Sequence, residues 1–194
     1  MNMKSVVFFS LATSLLLASC SLINVVGYTS GIKKLNENQK ARVVNAIKPI
    51  EELPCDKCIY IVGEDQLRDY IQKQENCIVY EWISQCPYNS LPLTVERYCD
   101  SLGIVPIFLL SSFSSESFTN YNAKHSPLLF IDTTPYKTDV AYKYMEKLRS
   151  HLTGVPESFP FLYWKFKQGN FVGFLESEED EKGFRLFAAR ETPK

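Results

Sequence analysis

The run Cys77-Ile-Val-Tyr-Glu-Trp-Ile83 constrains the fold more than any other stretch of this chain. All but Glu81 are apolar or aromatic, and they follow one another without the polar alternation of a half-exposed strand. A strand of this kind is buried on both faces, which is the situation of a parallel sheet covered by helices. The run then breaks into Ser84-Gln85-Cys86-Pro87-Tyr88-Asn89, so a cysteine sits between the strand's carboxyl end and a helix start. That is a place where thiols become reactive, because a helix N-terminus stabilises the thiolate.

The flanking sequence supports an alternating α/β arrangement. Cys58-Ile-Tyr-Ile-Val62 reads as a short strand, and Leu67, Tyr70 and Ile71 give the segment from Glu64 to Gln74 a helical apolar face. After the Cys86 turn, Leu91 to Leu102 is a helix, with Pro92 tolerable only in its first turn or at a kink. Ile104 to Leu110 is a third strand, 111–117 a serine-rich loop, and Leu128 to Ile131 a further short strand. Thr138 to Leu152 is an amphipathic helix. Phe159 to Phe166 and Phe171 to Phe174, around Gln168-Gly169-Asn170, read as a β-hairpin. Its aromatic run is expected to be a core strand rather than a ligand platform. Glu178 to Arg190 is expected to close the domain as a helix with its acidic end first. Strands and helices joined by short links predict a sheet with right-handed crossovers.

The amino terminus reads differently. Lys4 precedes the apolar run Val6 to Leu17, which is too short for a membrane span and has the form of a secretory signal. Its end, Leu17-Ala-Ser-Cys20, resembles the lipobox of bacterial lipoproteins. That resemblance implies a signal peptide over residues 1–19, acylation of Cys20 (palmitate among the chains), and a membrane-anchored protein of the cell envelope. Several acyl chains give durable anchoring where one does not. Residues 20–54 are expected to be a tether and an N-terminal helical extension, with a helix from Lys34 to Ile47 capped by Asn36. Residues 55–194 then form one domain, a length that can bury a single core. The formal net charge of −1 gives no electrostatic case for nucleic acid.

The order βαβαβ, helix, hairpin and final helix resembles the thioredoxin-like fold. Trp82-Ile-Ser-Gln-Cys86-Pro87-Tyr88-Asn89 is similar to the redoxin pattern Trp-x-x-x-Cys-Pro-x-Cys, departing from it only where Asn89 replaces the second cysteine. Pro160 stands where the family places a proline facing the active-site thiol, and Gly169 follows nine residues later, as in membrane-anchored TlpA-type redoxins. Together with the N-terminal motif, the chain is similar to redoxin-like lipoproteins of Bacteroidota. The resemblance implies a mixed central sheet flanked by helices, and a nucleophile at Cys86. It also implies a substrate groove formed by Trp82, Pro87, Tyr88, Phe159 and Pro160.

Without a second cysteine at position 89, Cys86 would act as a monothiol. It would form a mixed disulfide that an external small thiol must release. Tyr80 occupies the strand position where thioredoxins often keep a buried carboxylate, and Glu81 points to the other face. A redox-inactive module binding an envelope protein partner through the same groove is the alternative. Cys55, Cys58, Cys77 and Cys99 are expected at the pole opposite Cys86, with several uses open. They could form structural disulfides (Cys77 with Cys99, or a local Cys55–Cys58 ring), a redox pair, or remain free core thiols. One Cys-x-x-Cys with two scattered cysteines is a weak zinc signal, and no metal or cofactor is expected. His125 and His151 are expected to be surface groups.

Overall fold

The computed structural model describes residues 28–85, 91–156 and 163–174. Its centre is a seven-stranded mixed sheet flanked by helices. In chain order the strands are β1 (Val43–Asn45), β2 (Ile59–Val62), β3 (Asn76–Trp82), β4 (Val105–Leu110), β5 (Leu128–Ile131), β6 (Tyr163–Lys167) and β7 (Asn170–Phe174). The helices are α1 (Tyr28–Lys34), α2 (Glu37–Lys40), α3 (Glu64–Lys73), α4 (Pro92–Leu102), α5 (Ser115–Thr119) and α6 (Ala141–Thr153). Short 3-10 turns lie at Ile50–Glu52 and Thr134–Tyr136.

The spatial order is β1-β2-β5-β4-β3-β6-β7. The first five strands are mutually parallel, so their carboxyl ends share one pole, and β6 and β7 are antiparallel additions beside β3. β3 is flanked by β4 on one side and β6 on the other, and from Cys77 to Trp82 every residue is buried. Burial on both faces is why its sequence does not alternate.

Parity along β3 divides the core. Tyr80 stacks on Tyr163 at 4.6 Å and meets Phe108 edge-on, while Trp82 and Phe108 both lie 5.8 Å from Tyr121. On the opposite face, Glu81 reaches Arg149 of α6, whose guanidinium also lies 5.5 Å from the Trp164 ring.

Helix ends follow local chemistry. Pro92 is in the first turn of α4, where its missing N–H costs nothing, and Gly103 ends that helix with φ +66°. The hairpin turn at Gln168 and Gly169 has positive φ at both residues, as a two-residue loop requires. A Cβ on Gly169 would stand 3.0 Å from Gln72 Cα, so glycine also lets the hairpin tip close on α3.

The expected helix from Lys34 to Ile47 is not formed as such. Asn36 does cap a helix, through a reciprocal box with Gln39, but that helix ends at Lys40. Val43–Asn45 instead pairs in parallel with β2. The open edge of β2 offers ladder hydrogen bonds, and a β-branched pair satisfies them better than a thin helical face would. The extension therefore contributes an edge strand to the sheet. The serine-rich loop also carries more structure than expected, since Ser115–Thr119 is helical. The expected helix from Glu178 to Arg190 lies outside the described residues.

Candidate functional site

The carboxyl pole of β3 is the site that the sequence singles out. Cys86, Pro87, Tyr88, Phe159 and Pro160 lie outside the described residues, as does Cys20; what is described is the framework leading to them. Trp82 was expected to wall a groove. It is only 2% exposed and packs on Tyr121, so it supports the pole from beneath.

Beyond Trp82 the strand exit is held by neutral polar groups. Ser111 N–H donates to the Trp82 carbonyl at 3.1 Å, extending the β3–β4 ladder by one bond. Ser84 Oγ lies 2.9 Å from both Ser114 Oγ and Ser117 Oγ, and those two are 3.3 Å apart. All three serines are buried, so each hydroxyl satisfies the others in a place water does not reach. Asn120 Nδ2 donates to the Ser84 carbonyl. The backbone two residues before Cys86 is thus clamped to the segment after β4.

Among the described residues, Glu116 is an ionisable group placed at this exit, bonded to Gln85. Its carboxyl is held below the usual range, first by its own backbone N–H, then by Ser114, Ser115 and Gln85, against some desolvation. Gln85 directly precedes Cys86. A carboxylate that stays ionised here opposes a second negative charge close by.

Glu81, one residue after Tyr80, is buried and faces away from the Trp82 side. Desolvation raises its pKa, and Arg149 at 2.9 Å opposes that rise. Tyr80 is fully buried in aromatic packing.

The four other described cysteines, Cys55, Cys58, Cys77 and Cys99, are free thiols, so none of the disulfides considered for them is present. Cys77 and Cys99 lie at the amino pole of the sheet. Cys77 is in the first residues of β3, and the Cys99 carbonyl accepts from Ile104 N–H just before β4. They are on opposite faces. Cys77 shares the parity of Val79 and Glu81 and acts on Tyr70 of α3, whereas Cys99 belongs to α4 across the sheet. Burial pushes both thiols up to about 12.

Cys58 directly precedes β2, and Cys55 reaches the residues just before β5, so both lie at the amino ends of parallel strands. The stagger of the sheet sets the first residue of β2 level with Phe108 and Tyr80, partway along β3. Cys55 Sγ donates to the Ser126 carbonyl at 3.0 Å, in the loop that also carries Tyr121. Burial raises both thiols, with help from Glu96 and Asp56 for Cys55 and from Asp56 for Cys58.

Two devices escaped the sequence reading. Buried Glu96 of α4 accepts backbone N–H groups from Lys124, His125 and Ser126, at 2.6, 2.8 and 3.0 Å, fixing the loop that carries Tyr121. Glu64, at the start of α3, accepts from Arg68, Tyr136 and His151. His125 is exposed; His151 is half-exposed yet tied to Glu64 at 3.0 Å. A glutamate in the first turn of a helix was a usable signal for the second device, since it complements the helix dipole there.

A shallow groove runs along α6, lined by Tyr142, Lys143, Glu146, Lys147, Ser150 and Pro156, and contains none of the expected site residues. Among the described residues, no cluster of histidine, cysteine and carboxylate side chains is placed to hold a metal, and no helix is long and apolar enough to cross a membrane.

Searches against protein-family models, curated proteins and solved structures found no match to this chain. The described elements are those of an α/β protein with a mixed seven-stranded sheet flanked by helices.

Proposed function

We propose that this protein is a lipid-anchored, cell-envelope protein of thioredoxin-like fold that performs monothiol thiol–disulfide exchange through Cys86. The observation that carries the reading is the position of β3. It is flanked by parallel β4 and antiparallel β6, Cys86 follows its carboxyl end four residues on in the sequence, and α4 returns from that pole to β4. The helix and antiparallel hairpin that follow β5 also suit the thioredoxin-like reading, with Pro160 preceding the strand beside β3.

In the exchange, the Cys86 thiolate attacks one sulfur of a substrate disulfide. A Cys86–substrate disulfide forms, and the other substrate sulfur leaves as a thiolate. An external small thiol, as thiolate, then attacks the mixed disulfide. It bonds to the substrate sulfur and returns Cys86 as thiolate. Cys20 carries the acyl chains that hold the protein at the envelope membrane.

Glu116 favours a second reading, a redox-inactive module that binds an envelope protein partner. An ionised carboxylate bonded to Gln85 disfavours a thiolate at the next residue, and the remaining described contacts at the exit are neutral hydroxyls and an amide.

The test is trapping. Full-length protein incubated with envelope extract, then quenched with acid, should yield mixed disulfides that the Cys86→Ser variant lacks. Identical adducts in the variant, or none in either protein, would favour the binding module.

A further inference from the structure

We propose that Cys55 and Cys58 are a dithiol–disulfide couple of their own, separate from Cys86, whose oxidation frees the loop 121–126. It borrows from the proposed function only the envelope location, where disulfides persist.

The structure holds the couple in its reduced form. Both thiols are half-buried, so a small disulfide can reach them, whereas Cys77 and Cys99 are buried. Three residue steps span about 10 Å when extended, but the chain bends between the two cysteines, at Asp56 and Lys57. Asp56 Oδ1 fixes the bend by accepting the Cys58 N–H at 2.7 Å, and Oδ2 accepts from the Tyr60 hydroxyl at 3.0 Å. Arg42 Nε donates to the Lys57 carbonyl at 2.7 Å, and its guanidinium lies 4.7 Å from the Phe118 ring. A bend of this kind draws the two Cα atoms toward the separation of about 5.5–6 Å that disulfides prefer.

In the reduced form Cys55 is committed elsewhere. Its Sγ donates to the Ser126 carbonyl at 3.0 Å, and the same carbonyl accepts from the Tyr121 hydroxyl. The Tyr121 ring in turn lies 5.8 Å from both Trp82 and Phe108. One sulfur cannot keep a hydrogen for Ser126 and also bond to Cys58, so the two states exclude each other.

The oxidant is a small-molecule disulfide. Cys58, which has Arg42 as a favourable charge, loses its proton and attacks one sulfur, and a small thiolate leaves. Cys55, deprotonated in turn, attacks the Cys58 sulfur, and the second small thiolate leaves. Two cysteine thiols are oxidised, one disulfide is reduced to two thiols, and the two protons pass to those thiolates. Burial holds both cysteine thiols above their usual range. Exchange is therefore slow, as suits a switch that follows its surroundings rather than a catalyst.

Reduced full-length protein and a Cys86→Ser variant are equilibrated with a small thiol and rising fractions of its disulfide. Samples are quenched with acid, alkylated and read by peptide mass. In both proteins Cys55 and Cys58 should lose alkylation together, in one two-electron step, with a bond that joins them. The amides of Lys124, His125 and Ser126 should then exchange about threefold faster, as for loss of one weak hydrogen bond. Cys55→Ser and Cys58→Ser should each stop at a mixed disulfide on the remaining cysteine. Thiols that stay alkylated in excess disulfide, or that pair with Cys77 or Cys99, overturn the couple. A joined pair with unchanged amide exchange overturns the release of the loop. Oxidation seen in wild type but not in Cys86→Ser overturns the independence from Cys86.

Discussion

Removing Arg149 should expose how the protein tolerates a carboxylate in its core. Glu81 and Arg149 are both buried, and their ion pair is 2.9 Å long. In an Arg149→Met variant the methionine can keep apolar contact with Trp164, but Glu81 loses its counter-charge. Breaking a buried pair by removing one partner costs about 3–5 kcal/mol. With a urea m-value of about 2 kcal/mol/M, the midpoint should drop by roughly 1.5–2.5 M.

The loss should depend on pH, with a defined sign. Burial already raises the Glu81 pKa, and Arg149 is what opposes the rise. Without Arg149 the folded-state pKa moves further above the unfolded value. Stability is then greatest below the unfolded carboxyl pKa and falls as pH rises through the folded one. The variant should therefore be hurt less in mild acid than at neutral pH. A Glu81→Leu/Arg149→Met double variant removes both charges and should recover most of the loss, since an apolar replacement of a buried pair is often neutral or better. Urea titrations at the two pH values for wild type, single and double variants provide the check. A single-variant cost below about 1 kcal/mol, or a cost independent of pH, would refute the reasoning.

Glu96→Ala should cost at least about 3 kcal/mol, because it strands three backbone N–H groups that now donate to a carboxylate. Hydrogen exchange should accelerate at Lys124, His125 and Ser126 before it does elsewhere. For Glu64, desolvation pushes the pKa up, but hydrogen bonds from Tyr136, His151 and Arg68 outweigh it and lower the pKa. Its stabilisation is present above the unfolded value and lost as pH falls through the depressed folded one. Glu64→Gln should remove that part of the acid limb in a pH series of thermal melts.

Much of the sheet is legible in the sequence because strands buried on both faces leave continuous apolar runs. β2, β3, β4, β5 and the described part of the hairpin fall where those runs and their turn residues place them. The capping residue Asn36 and the stop at Gly103 are equally local. β1 is not legible, because Val43 and Val44 suit a helix face as well as a strand until β2 offers a free edge. Nor does composition distinguish a solvated serine loop from buried hydroxyls that satisfy one another, as Ser84, Ser114 and Ser117 do. The partners of Glu81 and Glu96 come from distant segments, and only the folded chain brings them together. At the candidate site the sequence identifies the thiol and its missing partner. Glu116 is invisible to it, since thirty residues separate it from Cys86 and only packing brings it to Gln85.

The most direct test of exchange chemistry is the apparent pKa of Cys86, read from its alkylation rate against pH with peptide-level mass spectrometry in the full chain. A Cys86 competent for exchange should titrate below the free-thiol value of about 8.5, and lower still in a Glu116→Gln variant. A Cys86 that titrates at or above that value in both proteins, or resists alkylation as the buried Cys77 and Cys99 should, would contradict the exchange reading.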